Sequence, residues 1–314
     1  MKYADVKNTI NRTDYARDFW AYAKGNTPTS DVLQNGTAKN VSGYMLPGEA
    51  ENAYETEIAK ESVFRNLASV FTAYDGASSI YAYDSDDTAE FVPEFGTIDI
   101  KGVADDFTKL TVNNHKVATL LKASAEFVHD AAFDFEGYLV TRLSKAFAKP
   151  EDTAFVTGAG TDEPIGILDD TAGAEVGVTA EGITYDDIIS LYFSVDKDYR
   201  KNGVWLMNDT TALTLRTLKD EGGNYLWNQA SDTILGRPVV ICNDMPDADS
   251  GEKPVAFGDF SYYWIVKRSP VTVTTLVERF ALNGQIGYLA HEFLDGKLIR
   301  QDAVKVLKVQ SEVE

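Results

Sequence analysis

At 314 residues the chain is long enough to bury a sizeable core, as one large or two ordinary domains, and its apolar and charged fractions of 44% and 25% describe a globular protein. Its 49 acids against 29 bases give a formal charge of −20. That excludes a sequence-independent grip on nucleic acid, which needs a basic face. It suits a soluble protein kept from casual association, or one facing a polyanion that it must not bind.

The one cysteine, Cys242, lies in the apolar run VVIC and reads as a small buried hydrophobe, since an intrachain disulfide or thiolate cluster needs a second. No apolar run reaches the roughly 18 residues of a membrane span. The opening MKYADVKNTINRTDYARDFW lacks the apolar core of a signal peptide, which points to a cytosolic chain. The glycosylation sequons at Asn11, Asn35, Asn40 and Asn208 then carry no meaning.

In chain order, TDYARDFWAYAK (13–24) has a short helical pattern with Phe19, Trp20 and Tyr22 as sticky aromatics. The aperiodic polar stretch from Gly25 to Pro47 is too long for a loop inside a compact domain and predicts an extended arm leaving the body. Residues 49–70 read as helical through Ile58, Val63, Leu67 and Val70. Strands are expected at Ile80–Tyr83, Phe91–Val92, Ile98–Ile100 and Leu110–Val112. Between Asp84 and Asp106 stand eight acids, among them Asp84, Asp86, Asp87, Glu90 and Glu94, against the single base Lys101. Such a hairpin is too charged to bury in its own domain, so it protrudes, either as a solvated flap or as a loop seeking a basic surface.

The longest amphipathic pattern follows. Phe135, Tyr138, Leu139, Leu143, Ala146, Phe147, Ala154 and Phe155 mark one apolar helical face. Glu136, Arg142, Lys145, Lys149, Glu151 and Asp152 fall on the solvated side. Asp134 is the expected N-cap and Gly158 the stop. Pro150 interrupts the pattern, but the apolar phase survives it, which favours one kinked helix of about 35 Å over two. The glycine loop TGAGTDEPIGIL that follows is no phosphate cradle, because it lacks Gly-Lys-Ser/Thr and follows a helix instead of a strand.

Residues 184–200 predict a helix capped by Thr184, Asn202-Gly203 a turn into the strand VWLMN, and Asp209–Lys219 a further helix. ILGRPVVIC reads as a turn into a buried strand, and VAFGDFSYYWIVKR as a strand pair. From 270 onward long strands are expected, joined by hairpin turns at Asn283-Gly284 and Asp295-Gly296. Asp247 and Asp249 copy a calcium loop only in part, since Gly251 stands where a third ligand belongs. His115, His129 and His291 fall in no metal-binding spacing, and no GxSxG occurs. With 49 acids, paired carboxylates say nothing about acid–base work. No enzyme, metal or cofactor is expected.

Several segments, in order, resemble the major capsid proteins of tailed bacteriophages with the Hong Kong phage type of fold. They are MLPGEA, TAEFVPEFGTI with VADDFTKLTVNNHKVATLLKASAEFVHDAAFDFEGYL, FVTGAGTDEPIGIL, WLMNDTTALTLRTLKDEGGNYLW, ILGRPVVICNDMP and AFGDFSYYWIVKR. Together they span about 46 to 309.

The resemblance implies an α+β capsid fold with an N-terminal arm (1–45), a linking helix (46–72) and an extended β-hairpin loop (73–111). A peripheral domain (112–175 and 267–302) would hold the long spine helix, beside an axial domain (176–266 and 303–314). It implies self-assembly as hexamers and pentamers into an icosahedral shell enclosing DNA, with portal and scaffolding or protease proteins as partners. The chain would then belong to the virion, and to the host cytoplasm during assembly. A neighbour's acidic hairpin would seat on Arg142, Lys145 and Lys149 of the spine helix.

Two departures stand out. Many relatives carry a helical scaffold segment ahead of the arm; here scaffolding is either a separate protein or was removed before Met1. Some relatives weld subunits through a lysine, an asparagine and a glutamate; Lys101, Asn283 and Glu292 come nearest but do not align cleanly. An encapsulin shell of the same fold, and more remotely an acidic cytosolic hydrolase, are the competing readings.

Overall fold

The computed structural model describes residues 3–26, 39–40, 43–73, 79–83, 92, 107–130, 132–219, 223, 225, 227 and 232–310. The acidic hairpin residues Asp84, Asp86, Asp87, Glu90 and Glu94, together with Lys101, lie outside them, as do the strands expected near 91 and 98–100.

The first half contains α1 (Tyr3–Ile10), α2 (Thr13–Ala23), β1 (Lys39–Asn40), β2 (Gly43–Met45), α3 (Gly48–Glu61), α4 (Phe64–Leu67), β3 (Ser69–Thr72), β4 (Ser79–Tyr83), β5 (Phe107–Thr111), β6 (His115–Ser124), α5 (Ala125–His129) and α6 (Phe135–Thr157). The second contains β7 (Glu175–Ala180), α7 (Tyr185–Ser194), α8 (Lys197–Arg200), β8 (Val204–Met207), α9 (Asp209–Thr217), β9 (Thr233–Ile234), β10 (Arg237–Ile241), β11 (Val255–Gly258), β12 (Tyr263–Lys267), β13 (Thr272–Leu276), α10 (Val277–Phe280), β14 (Gln285–Leu298) and β15 (Val304–Val309).

The long helix forms as its pattern dictates. The Asp134 side chain accepts a hydrogen bond from the Gly137 N–H at 3.1 Å, which satisfies one orphan donor of the first turn. At the other end a Cβ on Gly158 would lie 2.2 Å from the Pro164 carbonyl oxygen, so only glycine lets the following loop fold back there. The helix runs unbroken through Pro150, which is exposed. Its 23 residues span about 35 Å at roughly 1.5 Å each. Leu139, Leu143, Phe147 and Phe155 face inward as expected, while Tyr138 lies at the exposed margin. Glu151 and Asp152 do not belong to the solvated side: both are buried.

Two sheets flank this helix. The first has the order β1-β2-β13-β14-β12-β3, with β6 paired along β14 from His115–Leu294 to Ser124–Gln285. The second runs β7-β15-β11-β8-β10-β9. β4 and β5 form a separate antiparallel pair, the base of the predicted hairpin. Thr184 caps α7 through a reciprocal capping box with Asp187. The helical run to 200 is broken where Asp196 starts α8 as a new N-cap.

Three sequence expectations change here. Asp295-Gly296 is not a hairpin turn but lies inside the 14-residue strand β14, opposite Val266 and Ile265. Glycine serves packing there: a Cβ would stand 2.6 Å from the Tyr263 hydroxyl and 3.0 Å from the Phe155 ring. Asn283-Gly284 does end a connection, with Gly284 left-handed at φ 60°, but the connection passes through α10 and a 3-10 turn. The strand pair in VAFGDFSYYWIVKR splits between sheets: β11 joins the second and β12 the first. A boundary at 266/267 would therefore cut β12, which pairs with β14 and β3.

The apolar side chains gather in three cores. One lies under the first sheet and holds α1, α2, α3 and α6 up to Ala148. The second lies between the sheets and takes Phe155 and Val156 from the end of α6, with Phe64, Tyr263, Leu206 and Val306. The third covers the outer face of the second sheet with α7 and α9, around Trp205 and Phe257. The long helix thus crosses from one core to the next between Ala148 and Ala154.

The start of the chain is part of this body. Val6, Ile10, Tyr15, Phe19 and Ala23 are buried in the first core. Tyr15 donates to the Met45 carbonyl at 2.6 Å, and Tyr22 accepts from the Thr275 N–H at 2.8 Å. β2 returns to the first sheet beside β13. Residues 3–24 and β2 are therefore docked on the body, because their aromatics complete the core, while 27–38 and 41–42 of the stretch expected to leave it lie outside the described residues.

Candidate functional site

Where α6 passes between the two cores, it meets a buried cluster of charges. Glu51, Tyr54 and Glu55 project from α3 at one-turn spacing; Arg65 comes from α4, Glu151 from α6, Lys267 from β12 and Glu292 from β14. Arg65 holds Glu151 through Nε–Oε2 at 2.8 Å and Nη2–Oε1 at 3.1 Å. It also reaches Glu55 at 3.0 Å and Glu292 at 3.3 Å. Lys267 donates to Glu51 at 2.8 Å and to Glu55, and stands 3.8 Å from Glu292. Tyr54 donates to Glu292 at 2.9 Å.

Four carboxylates thus share two cations, so a proton must remain in the cluster for the charges to approach balance. Burial, outweighing the attraction of Arg65, pushes Glu151 well above the usual carboxylate range. Burial opposes the charge on Glu292 as well, but the hydrogen bond with Glu151 and the cations Arg65 and Lys267 hold it below that range. Burial, ahead of the attraction of Lys267, lifts Glu51. The arrangement ties five elements together.

Asp152, one residue on, makes a second tie. It accepts from the Ser62 hydroxyl at 2.6 Å and from the Val63 and Phe64 N–H groups at 2.8 and 3.1 Å. These contacts fix the turn between α3 and α4 to the long helix, and they explain why Glu151 and Asp152 face inward.

Arg142, Lys145 and Lys149, the expected receivers of an acidic hairpin, are exposed on α6 at spacings of three and four. Arg142 lies over the Tyr138 ring at 5.9 Å, and Lys145 pairs loosely with Glu61 at 3.5 Å. Exposed pairs of that kind hold a side chain only weakly. Of the welding candidates, Asn283 is exposed and Glu292 is sealed in the ion cluster, so the two do not converge within one chain. Sequence reasoning missed the cluster, although the spacing of Glu51, Tyr54 and Glu55 on one face of α3 was a readable signal. Cys242 is buried as expected, and burial pushes its thiol up to about 12. Among the described residues no helix is long and apolar enough to cross a membrane.

Comparison with known proteins agrees with this architecture. A sequence model of the phage capsid family matches residues 42–309. The "Probable major capsid protein gp17" of Mycobacterium phage L5 is 25% identical over 67% of this chain and 68% of its own, and its counterpart in Mycobacterium phage D29 is 26% identical over 70% and 71%. Among solved structures, the capsid of an empty GTA particle superposes with a TM-score of 0.68 at 28% identity, covering 80% of this chain and 90% of that one. A chain of Gordonia phage Cozz, at 14% identity and a TM-score of 0.54 over 80% and 87%, shares the fold. With two sheets joined by one long helix and a family match over most of its length, the chain belongs to the phage capsid family.

Proposed function

We propose that this chain is the major capsid subunit of a phage or prophage particle, a structural protein whose copies tile a closed shell around DNA. The observation that carries this reading is the family match from 42 to 309 on a fold that superposes with a particle capsid. Those relatives are capsids of phages and of a GTA particle, which favours a phage-type shell over an encapsulin or a hydrolase. A formal charge of −20 suits a wall that lets DNA slide past it.

Within that role the copies group as hexamers and pentamers, in the virion and, before it, in the host cytoplasm, with portal and scaffolding or protease partners. Residues 73–111 act as the extended loop. The first sheet with α6 acts as the peripheral domain and the second sheet as the axial domain. The loop's acids Asp84, Asp86, Asp87, Glu90 and Glu94 seat on Arg142, Lys145 and Lys149 of a neighbour. Opposite sequence charge on the two partners and exposure of all three cations support that pairing.

Size exclusion and electron microscopy of the purified full chain test the main reading. Megadalton closed shells are expected, and a stable small oligomer under all assembly conditions would defeat it. Reversing Asp84, Asp86 and Asp87 to lysine should abolish shells while leaving the subunit folded; normal particles from that variant would rule out the seating.

A further inference from the structure

The most exposed apolar side chain among the described residues is Leu282, at 102% relative exposure. It is not at a fraying end. It stands at the tip of the connection between β13 and β14, and that connection is built to hold its shape. Phe280 packs into the space left by Gly287, where a Cβ would lie 2.4 Å from its ring. The Arg279 guanidinium lies over the Phe280 ring, 5.8 Å from its centroid. Gly284, left-handed at φ 60°, closes the turn, and its carbonyl accepts from the Ala125 N–H at 2.9 Å. A leucine fixed in water by an anchored loop loses hydrophobic stabilisation that burial against a partner would recover.

Beside this knob lies a hollow of about 240 Å³, lined by Gly25, Ala125, Val277 and Ile286 together with Lys24 and His129. Leu282 is not among the residues that line it, although its loop neighbours Ala281 and Gly284 are, so within one chain the knob does not fill the hollow beside it. The knob's loop also carries Glu278, exposed and opposite in charge to Lys24.

We infer that Leu282 inserts into this hollow on an adjacent copy of the chain, with Glu278 facing Lys24 of that copy, and that the contact is a rigid anchor of the shell. The inference rests on the capsid reading above, which supplies the second copy. A knob and a hollow side by side on one subunit form a self-complementary patch, so two copies related by a two-fold axis can each seat Leu282 in the other's hollow. An apolar side chain entering a preformed hollow, surrounded by polar groups, is the form that dominant interface residues take.

The test uses the full chain. Leu282→Glu is expected to leave the melting temperature of the unassembled subunit unchanged, because the side chain touches nothing of its own chain. It should lower particle yield about tenfold or more, the scale of losing one buried anchor at every contact. Chains carrying Leu282→Cys and chains carrying His129→Cys are then mixed, assembled and treated with diamide. Diamide takes up the two thiol hydrogens as the sulfur–sulfur bond forms. A band of twice the chain mass should arise in the mixture and not from either variant alone; buried Cys242 stays out of the reaction. Normal particle yield from Leu282→Glu, or no mixed band in assembled particles, overturns the inference. Absence of particles from the unaltered chain would instead overturn the capsid reading itself.

Discussion

Arg65 grips Glu151 through two hydrogen bonds, at 2.8 and 3.1 Å, with the two side chains 2% and 0% exposed. The contact joins α4 to the one segment of α6 that lies between two cores. Removing either partner leaves hydrogen-bonding groups of the other unmet in a dry interior, so Arg65→Met and Glu151→Met should each cost about 1–3 kcal/mol. The double variant Arg65→Met/Glu151→Met should cost less than the sum of the singles by about 1 kcal/mol or more. Urea unfolding of the unassembled subunit measures all four corners of this cycle, and strict additivity would show that the grip contributes nothing.

The same glutamate should make stability depend on pH. Because burial lifts Glu151 well above the usual carboxylate range, the folded chain keeps a proton that the unfolded chain has already lost. The folded state then binds more protons, and the contribution of Glu151 is full at low pH and falls as pH rises toward its folded value. Glu151→Gln carries the neutral form permanently and removes that slope. Relative to the unaltered chain, the variant should therefore gain stability in the window that opens above the ordinary glutamate value of about 4.3. A difference that stays constant across that window would mean that Glu151 is ionised in the folded chain.

What the sequence disclosed and what it hid divide along the range of the interactions. The long helix was legible from Asp134 to Gly158 because cap, period and stop are local. Its charged side was only half legible: Arg142, Lys145 and Lys149 are exposed, whereas Glu151 and Asp152 turn inward toward Arg65 and Ser62. Those partners lie 86 and 90 positions away in the chain, and a helical period carries no trace of them. The docking of α1 and α2 was hidden for a similar reason. Phe19 and Tyr22 showed as sticky aromatics, but which surface they stick to is decided by β13 and β14. The fold itself was legible through family-like segments, not through periodicity. No reading of strand patterns would have placed β11 and β12 in different sheets.

Gly296 shows how a local signal can mislead, and it can be tested directly. Asp295-Gly296 has the composition of a hairpin turn, yet Gly296 lies in mid-strand with Tyr263 and Phe155 pressed over it. Gly296→Ala should push the Tyr263 hydroxyl off the Ile165 carbonyl, which it now meets at 2.8 Å. A cost of about 1–3 kcal/mol is expected, the scale of overpacking a filled core. Gly284→Ala meets open space and bears only left-handed strain, about 1 kcal/mol. Melting temperatures of the two variants should fall in that order, and the reverse order would restore the turn at 295–296.

The docked helices at the start of the chain predict the outcome of a truncation. A chain beginning at residue 25 loses Val6, Ile10, Tyr15, Phe19 and Ala23 from the first core. It also loses the hydrogen bonds from Tyr15 to Met45 and from Tyr288 to the Ala23 carbonyl. The buried large side chains alone stabilise by roughly 1.5–3 kcal/mol each, and their sum rivals the roughly 5–15 kcal/mol that keeps a typical domain folded. The shortened subunit should therefore lose its cooperative unfolding transition and bind a hydrophobic dye, with loss of shells as a consequence. A segment that serves only a neighbour would behave differently: shells would vanish while the melting temperature of the free subunit stayed put. Dye binding and calorimetry on the unassembled truncated chain separate the two cases, and an unchanged transition would mean that α1 and α2 belong to the adjacent subunit's core in the shell.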